Sequence, residues 1–123
     1  MRAILLDSKT RTVKEVDYNG DWRTISPTIG CSLFTVVRLG NGDDLYVDDE
    51  GLLTVTDETV FIKVPWYPSP LAGSGLILSC GDEGESTPSK HDADYYRSRV
   101  RFLSAKAAWL AMQLDQFASG EEG

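Results

Sequence analysis

The run Leu33-Phe34-Thr35-Val36-Val37-Arg38-Leu39, the pair Asn41-Gly42 and the return Asp44-Leu45-Tyr46-Val47-Asp48 constrain this chain more than any other part of it. Two short runs rich in β-branched and aromatic residues, separated by Asn-Gly, are the strongest local signal for a β-hairpin. With Asn41 and Gly42 as a two-residue loop, Gly40 faces Asp43, Arg38 faces Leu45 and Val36 faces Val47. Phe34, Val36, Leu45 and Val47 then share one face, the expected core face, while Val37, Asp44, Tyr46 and Asp48 share the other. A slip of one residue would mix the two sets.

The remaining elements follow from similar signals. Ala3–Leu6 is an apolar run closed by the turn-rich Asp7-Ser8-Lys9-Thr10, and Thr12–Tyr18 mixes β-branched with polar residues, so the pair reads as a hairpin with an exposed second strand. Asp21 is placed to cap a short helix through Trp22 and Ile25, with Pro27 either ending it or starting a new turn. Thr54–Lys63 offers a strand centred on Val60-Phe61-Ile62. Three prolines make Val64–Pro70 a rigid extended loop. The unbroken apolar run Gly75–Cys80 reads as a central strand buried on both faces. Ser89 with Asp92 reads as a capping box. Beyond it Tyr96, Val100, Leu103, Ala107, Leu110, Leu114 and Phe117 recur at alternating spacings of four and three, a single helical seam, with a break near Ser104 as the alternative. The seam packs on the chain's own sheet or, where that sheet is too small, on a partner. A chain of 123 residues can bury roughly two-thirds of its unfolded surface. The expectation is a single α+β domain over residues 1–118. It has a mixed or mostly antiparallel sheet of five to six strands, a short helix and a long C-terminal helix, followed by a disordered acidic tail at 119–123.

Charge and composition remove several classes of function. The net charge is −7, and residues 41–86 carry ten acidic groups against one basic. That balance argues against nucleic acid as a partner and is too sparse for a DNA mimic. The acids are either a solvated surface or a patch facing a partner. No apolar run approaches the ~20 residues of a membrane span, and Met1–Asp7 meets an acid too early for a secretory signal. The expected compartment is the cytoplasm, the host's if a phage encodes the chain. Cys31 and Cys80 make no disulfide framework; both are expected as small buried apolar groups, bonded only if their strands are neighbours.

No convergent chemistry is apparent, so no catalytic residue, metal or cofactor is assigned. His91 is the only histidine; it precludes a two-histidine metal site and is expected as a solvated side chain at a helix entrance. Neither cysteine belongs to a CxxC pair. Asp44 and Asp48 share a strand face but lie roughly 13 Å apart, too far to chelate one cation. Asp48-Asp49-Glu50 lacks the alternating spacing of a calcium loop. Residues that hold rather than react are better represented. Trp66 and Tyr67 on the stiff proline loop can stack a base, unless the loop is a lid on the core. Gly73, Ser74 and Gly75 can meet an anion, unless they mark a bulge. Arg97 and Arg101 can clamp phosphate, unless Arg97 pairs with Asp94. For a protein partner the candidates are the hairpin acids Asp43, Asp44, Asp48, Asp49 and Glu50, with Trp109, Met112 and Gln116 on the outer face of the terminal helix.

The segments Ile29–Leu39 and Gly42–Leu53, with the start at Met1–Asp7, the run Pro68–Leu78 and Val100-Arg101-Phe102-Leu103, occur in one order. In these landmarks the chain resembles a small domain-of-unknown-function family found in bacteriophages, plasmids and the bacteria that carry them. The similarity covers residues 1 to about 104, and the extension Ala105–Phe117 goes beyond the pattern. The resemblance implies an accessory protein of a mobile element and carries no catalytic residues with it.

The leading expectation is therefore a non-enzymatic protein that binds a host protein, in counter-defence for example, or associates with itself. The alternative is a sequestering protein for a small nucleotide signal, and the third is a cation-dependent hydrolase built on the carboxylates. Thermal shift with nucleotides, and with magnesium, manganese and calcium, separates the three.

Overall fold

The computed structural model describes residues 1–121, with side chains through Gln113. Strands β1 (Arg2–Asp7) and β2 (Thr12–Asp17) form the expected N-terminal hairpin. Asp21 caps a 3₁₀ turn by accepting from the Arg23 N–H at 3.0 Å, and α1 (Ile25–Ile29) continues from it. Pro27 sits inside α1 rather than ending it, because a first-turn residue has no intrahelical acceptor to lose. Strands β3 (Phe34–Arg38), β4 (Asp43–Asp48) and β7 (Gly75–Cys80) join the hairpin in an antiparallel sheet ordered β2-β1-β7-β4-β3, and β8 (Ser86–Thr87) pairs with the end of β7. As expected, β7 is central and buried on both faces.

A second sheet was not anticipated. Its three strands are β5 (Phe61–Lys63), β6 (Leu71–Ala72) and β9 (Arg101–Leu103), in the order β6-β5-β9. One face of the large sheet, carrying Ile4, Leu6, Leu45, Val47 and Ile77, packs against Ile62 and Val64 and against Ala93 and Tyr96 of α2 (Ala93–Arg97). The other face, carrying Ala3, Leu76 and Leu78, is covered by Ile25 and Ile29 of α1. The small sheet is covered in turn by α3 (Ala105–Glu121), through Ala108 against Phe61 and Ala72.

Two sequence expectations are corrected. In the hairpin, Val37 pairs with Leu45, Val36 with Tyr46 and Thr35 with Val47, one residue away from the predicted register. The loop has three residues, with Gly40 at φ +77° and Gly42 at φ +99°, and Leu39 N–H bonds to the Asp43 carbonyl at 3.1 Å. Leu45 and Val47 keep the core face, but Val37 and Leu39 join them there, while Phe34 and Val36 move to the other side. Glycine at both positive-φ positions makes the longer loop as accessible as the Asn-Gly turn, and packing of Val37 and Leu39 decides between them.

The single helix expected from the Ser89–Asp92 capping box to Phe117 gives way to α2, β9 and α3, with Ser104, the site of the alternative break, starting the last of them. Asp92, not Ser89, is the N-cap of α2, accepting from the Tyr95 N–H at 2.9 Å. Tyr96 and Val100 turn into the core, and Arg101–Leu103 then pairs with β5, satisfying backbone groups that β5 would otherwise leave open. Ser104 restarts the helix, its hydroxyl accepting from Ala107 N–H at 3.2 Å. Leu114, Gln116, Phe117 and the tail at 119–123 lie outside the residues whose side chains are described.

Close packing of β7 against its neighbour β4 makes one glycine restrictive. A Cβ on Gly75 would lie 2.7 Å from Leu45 Cδ1 and 3.4 Å from the Tyr46 carbonyl oxygen. Leu45 is itself fully buried. Gly75→Ala is expected to cost about 1–3 kcal/mol in urea unfolding, because the displaced methyl has no free space to enter. An unchanged midpoint would show that the sheet can open there.

Candidate functional site

The turn Gly51–Leu53, which follows β4, forms a ridge between two grooves. Gly51 is buried, and a Cβ there would lie 3.1 Å from Ala72 Cβ, so the chain at this point runs directly against β6. Leu52 and Leu53, with no strand to bury them, are left 68% and 79% exposed.

On one side of the ridge, a groove of about 700 Å³ runs between Leu52, Val55 and α3. Small side chains let α3 approach the second sheet closely: Ala105 and Ala108 face Phe61, with Met112 one turn further on. Phe61 forms the buried floor, Met112 and Leu52 are walls, and Trp109 stands at the rim, 58% exposed. Val55 and Leu110 are exposed nearby in the sequence, so five of the large exposed hydrophobic residues belong to the turn, its continuation and α3. On the other side lies a groove of about 500 Å³, with Thr35, Val37 and Val47 along it and Tyr67 and Pro70 opposite the ridge. Its rim carries Asp48, Asp49 and Glu50. The Asp48 carboxylate accepts from Glu50 N–H at 2.9 Å, which shapes the acidic turn.

The hairpin acids therefore do not form one surface. Asp44 and Asp48 lie on the same face of β4, as expected, but Asp43 points the other way and is almost completely buried. Its carboxylate accepts from Lys90 N–H at 2.7 Å, His91 N–H at 3.3 Å and the Tyr96 hydroxyl at 2.5 Å. Asn41 donates from Nδ2 to the Tyr96 hydroxyl at 3.2 Å, and its backbone carbonyl oxygen is 2.9 Å from His91 Nε2. Burial and the Asp43 carboxylate push the Tyr96 hydroxyl far above the usual tyrosine range, so it remains a donor. The expectation of a solvated His91 is thus corrected: the ring is half-buried and stacks on Tyr95 at 3.9 Å between centroids, with the Arg99 guanidinium also 3.9 Å from the Tyr95 ring centre. Sequence reasoning missed this network. The adjacent pair Tyr95-Tyr96 after a capping Asp92 was its one visible sign.

The expected ligand residues are placed apart. Trp66 is half-buried, stacked on Tyr95 and edge-on to Tyr96, and Lys63 Nζ donates to the Tyr67 carbonyl at 2.7 Å, so the proline loop folds onto the core. Gly73 donates its N–H to Val60, and Ser74 Oγ accepts from Ser8 N–H at 2.9 Å, which ties the glycine segment to the β1–β2 turn. Arg97 donates from Nε to the Val13 carbonyl at 3.0 Å and pairs with Asp94. Arg101 lies exposed on β9. Tyr67 lines the acidic groove and Ser74 a separate small cavity.

The two thiols are far from equivalent. Cys31 is half-buried beside the α1 cluster, and burial pushes its thiol up. Cys80 is exposed, contrary to expectation, because β7 ends there as it leaves the core. Both are free, and among the described residues neither has a histidine or carboxylate as hydrogen-bond partner. Among the described residues no three His, Cys, Asp or Glu side chains are gathered so as to hold a metal ion, and no helix is long and apolar enough to cross a membrane. The arrangement at the ridge is suited to holding an extended or helical segment: apolar contact on one side, negative charge on the other.

A family model described as a domain of unknown function (DUF3846) matches residues 1–101. A protein of Sinorhizobium fredii described as "Uncharacterized protein y4iR" is 39% identical over 87 residues, 68% of this chain and 51% of that protein. The chain thus spans about half the length of that curated relative. No solved structure matches.

Proposed function

The chain belongs to the family described as a domain of unknown function (DUF3846), and we propose that it acts without catalysis, by holding a protein partner across the ridge at Leu52. Within that reading it is an accessory protein of a phage or other mobile element, and the partner is a host protein. The observation that supports it is that the exposed Leu52, Val55 and Trp109 line one groove, beside the acidic rim of a second that Leu53 lines. Contiguous exposed apolar surface edged by polar groups is the usual mark of a protein-binding site. The chemistry of the two grooves selects a segment with apolar side chains at one end and lysine or arginine at the other. A nucleotide pocket built from Trp66, Gly73–Gly75 and the arginines has no comparable gathering of residues to support it.

The test is a peptide display selection followed by titration of the best binder. Enriched sequences are expected to combine apolar and basic residues. Trp109→Ala is expected to weaken the selected peptide about thirtyfold, the size of an aromatic contact that the bound segment covers, with little change in melting. Neutralising Asp48, Asp49 and Glu50 together is expected to weaken it less and to flatten its salt dependence. Undiminished binding by Trp109→Ala, or enrichment of acidic peptides, would overturn the proposal.

A further inference from the structure

The large sheet ends in two edges of very different character. At β2 the edge is charged, with Lys14 and Glu15 exposed, and Arg97 Nε already donates to the Val13 carbonyl. At β3 the edge is Phe34-Thr35-Val36-Val37-Arg38, without proline, lysine or a bulge. Of the usual devices that prevent pairing with another strand it carries only the charge of Arg38 at its end. The bonds Leu39 N–H to Asp43 and Asp49 N–H to Leu33 show that the odd-numbered residues here face β4. In an antiparallel ladder the backbone groups of Phe34, Val36 and Arg38 therefore point outward. Val36 is 43% exposed, and Arg38 is 81% exposed with only a 3.9 Å contact to Asp44.

We propose that β3 pairs antiparallel with β3 of a second copy of this chain, with Val36 opposite Val36 on the twofold axis. In that register Phe34 of each copy faces Arg38 of the other, and all outward backbone groups from Phe34 to Arg38 are bonded. The pairing is self-complementary in charge as well. Phe34 lies beside Asp48 within one chain, so Arg38 from the second copy crosses the Phe34 ring to reach Asp48, about 10 Å away between backbones. Only this register brings the two opposite charges together twice, as an isologous interface requires. The proposal uses the outward edge of β3, shares Asp48 with the rim of the acidic groove, and stands whether or not the grooves bind a partner.

Light scattering across a concentration series tests it, with melting as the control for folding. The wild-type chain is expected at twice its 13.6 kDa mass. Val36→Pro removes an outward N–H and no bond to β4, so it is expected to raise the monomer–dimer Kd about tenfold or more with nearly unchanged melting. Arg38→Asp and Asp48→Arg are each expected to give monomers, and the double exchange to restore the dimer. A monomeric wild type overturns the proposal, as does a dimer that resists Val36→Pro and Arg38→Asp. A dimer lost only in Trp109→Ala would place self-association in the groove instead and also overturn it. A monomer that takes up foreign extended peptides along β3 would do the same.

Discussion

Asp43→Ala is expected to lower the unfolding free energy by about 3–5 kcal/mol, the cost of breaking a buried charged network from one side. Three donors converge on that carboxylate: the Lys90 and His91 N–H groups and the Tyr96 hydroxyl. Alanine leaves all three donors without that acceptor, the Tyr96 hydroxyl in a buried position. The network also joins parts of the chain far apart in sequence, since Asp43 begins β4 and Tyr96 lies in α2. Losing it loosens α2 from the large sheet. Asp44→Ala is the matched control. Asp44 is nearly buried as well, but among the described residues its carboxylate accepts no hydrogen bond and meets one cation, the exposed Arg38 at 3.9 Å; a contact that long to a solvated guanidinium contributes no more than about 1 kcal/mol. Urea unfolding at neutral pH reads both. Equal, small losses for the two variants would mean that the Asp43 donors find other partners, and the network would not be what holds α2 in place.

Alkaline conditions probe the same network from the tyrosine. An unfolded tyrosine ionises near pH 10. In the fold, burial raises the Tyr96 hydroxyl, and the Asp43 carboxylate to which it donates raises it further. Above about pH 10 the unfolded chain therefore gives up a proton that the folded chain keeps. Stability present below that pH is lost as pH rises, by about 1.4 kcal/mol per pH unit from this group. Tyr18, raised by its burial, contributes in the same direction. Tyr96→Phe is expected to be less stable at neutral pH by about 1.5–3 kcal/mol, for the lost hydrogen bond to a charged group. Its stability should nonetheless fall less steeply between pH 10 and 11, by about 1 kcal/mol over that unit relative to wild type. Parallel slopes for the two proteins would show Tyr96 ionising in the folded state as an ordinary tyrosine does.

The candidate site was only half legible. Trp109 and Met112 stood out because they flank a helical seam, and the Asp48-Asp49-Glu50 turn because three acids follow a strand end. Leu52, Leu53 and Val55 did not. A short apolar run after a turn is read by default as core or strand, and only the placement of β5 and β6 leaves it exposed among the described residues. Asp43 was misread for the converse reason. Beside Asp44 it resembles another surface acid, and burial of a carboxylate depends on donors from residues about 50 positions away.

What local patterning determines here is the identity of most strands. Strand identity rests on the period of the side chains and on turn residues, both carried by neighbours in sequence; β1, β2, β4 and the doubly buried β7 follow from them. The tertiary structure alone decided the hairpin register, the division of the C-terminal seam into α2, β9 and α3, and the burial of Asp43. In each case two local arrangements are close in energy. A two- or three-residue loop, a continuous or interrupted helix and a solvated or bonded carboxylate differ by a few kcal/mol at most. Contacts from distant segments, namely the core around Val37 and Leu39, the open backbone of β5 and the donors at Lys90, His91 and Tyr96, supply the difference.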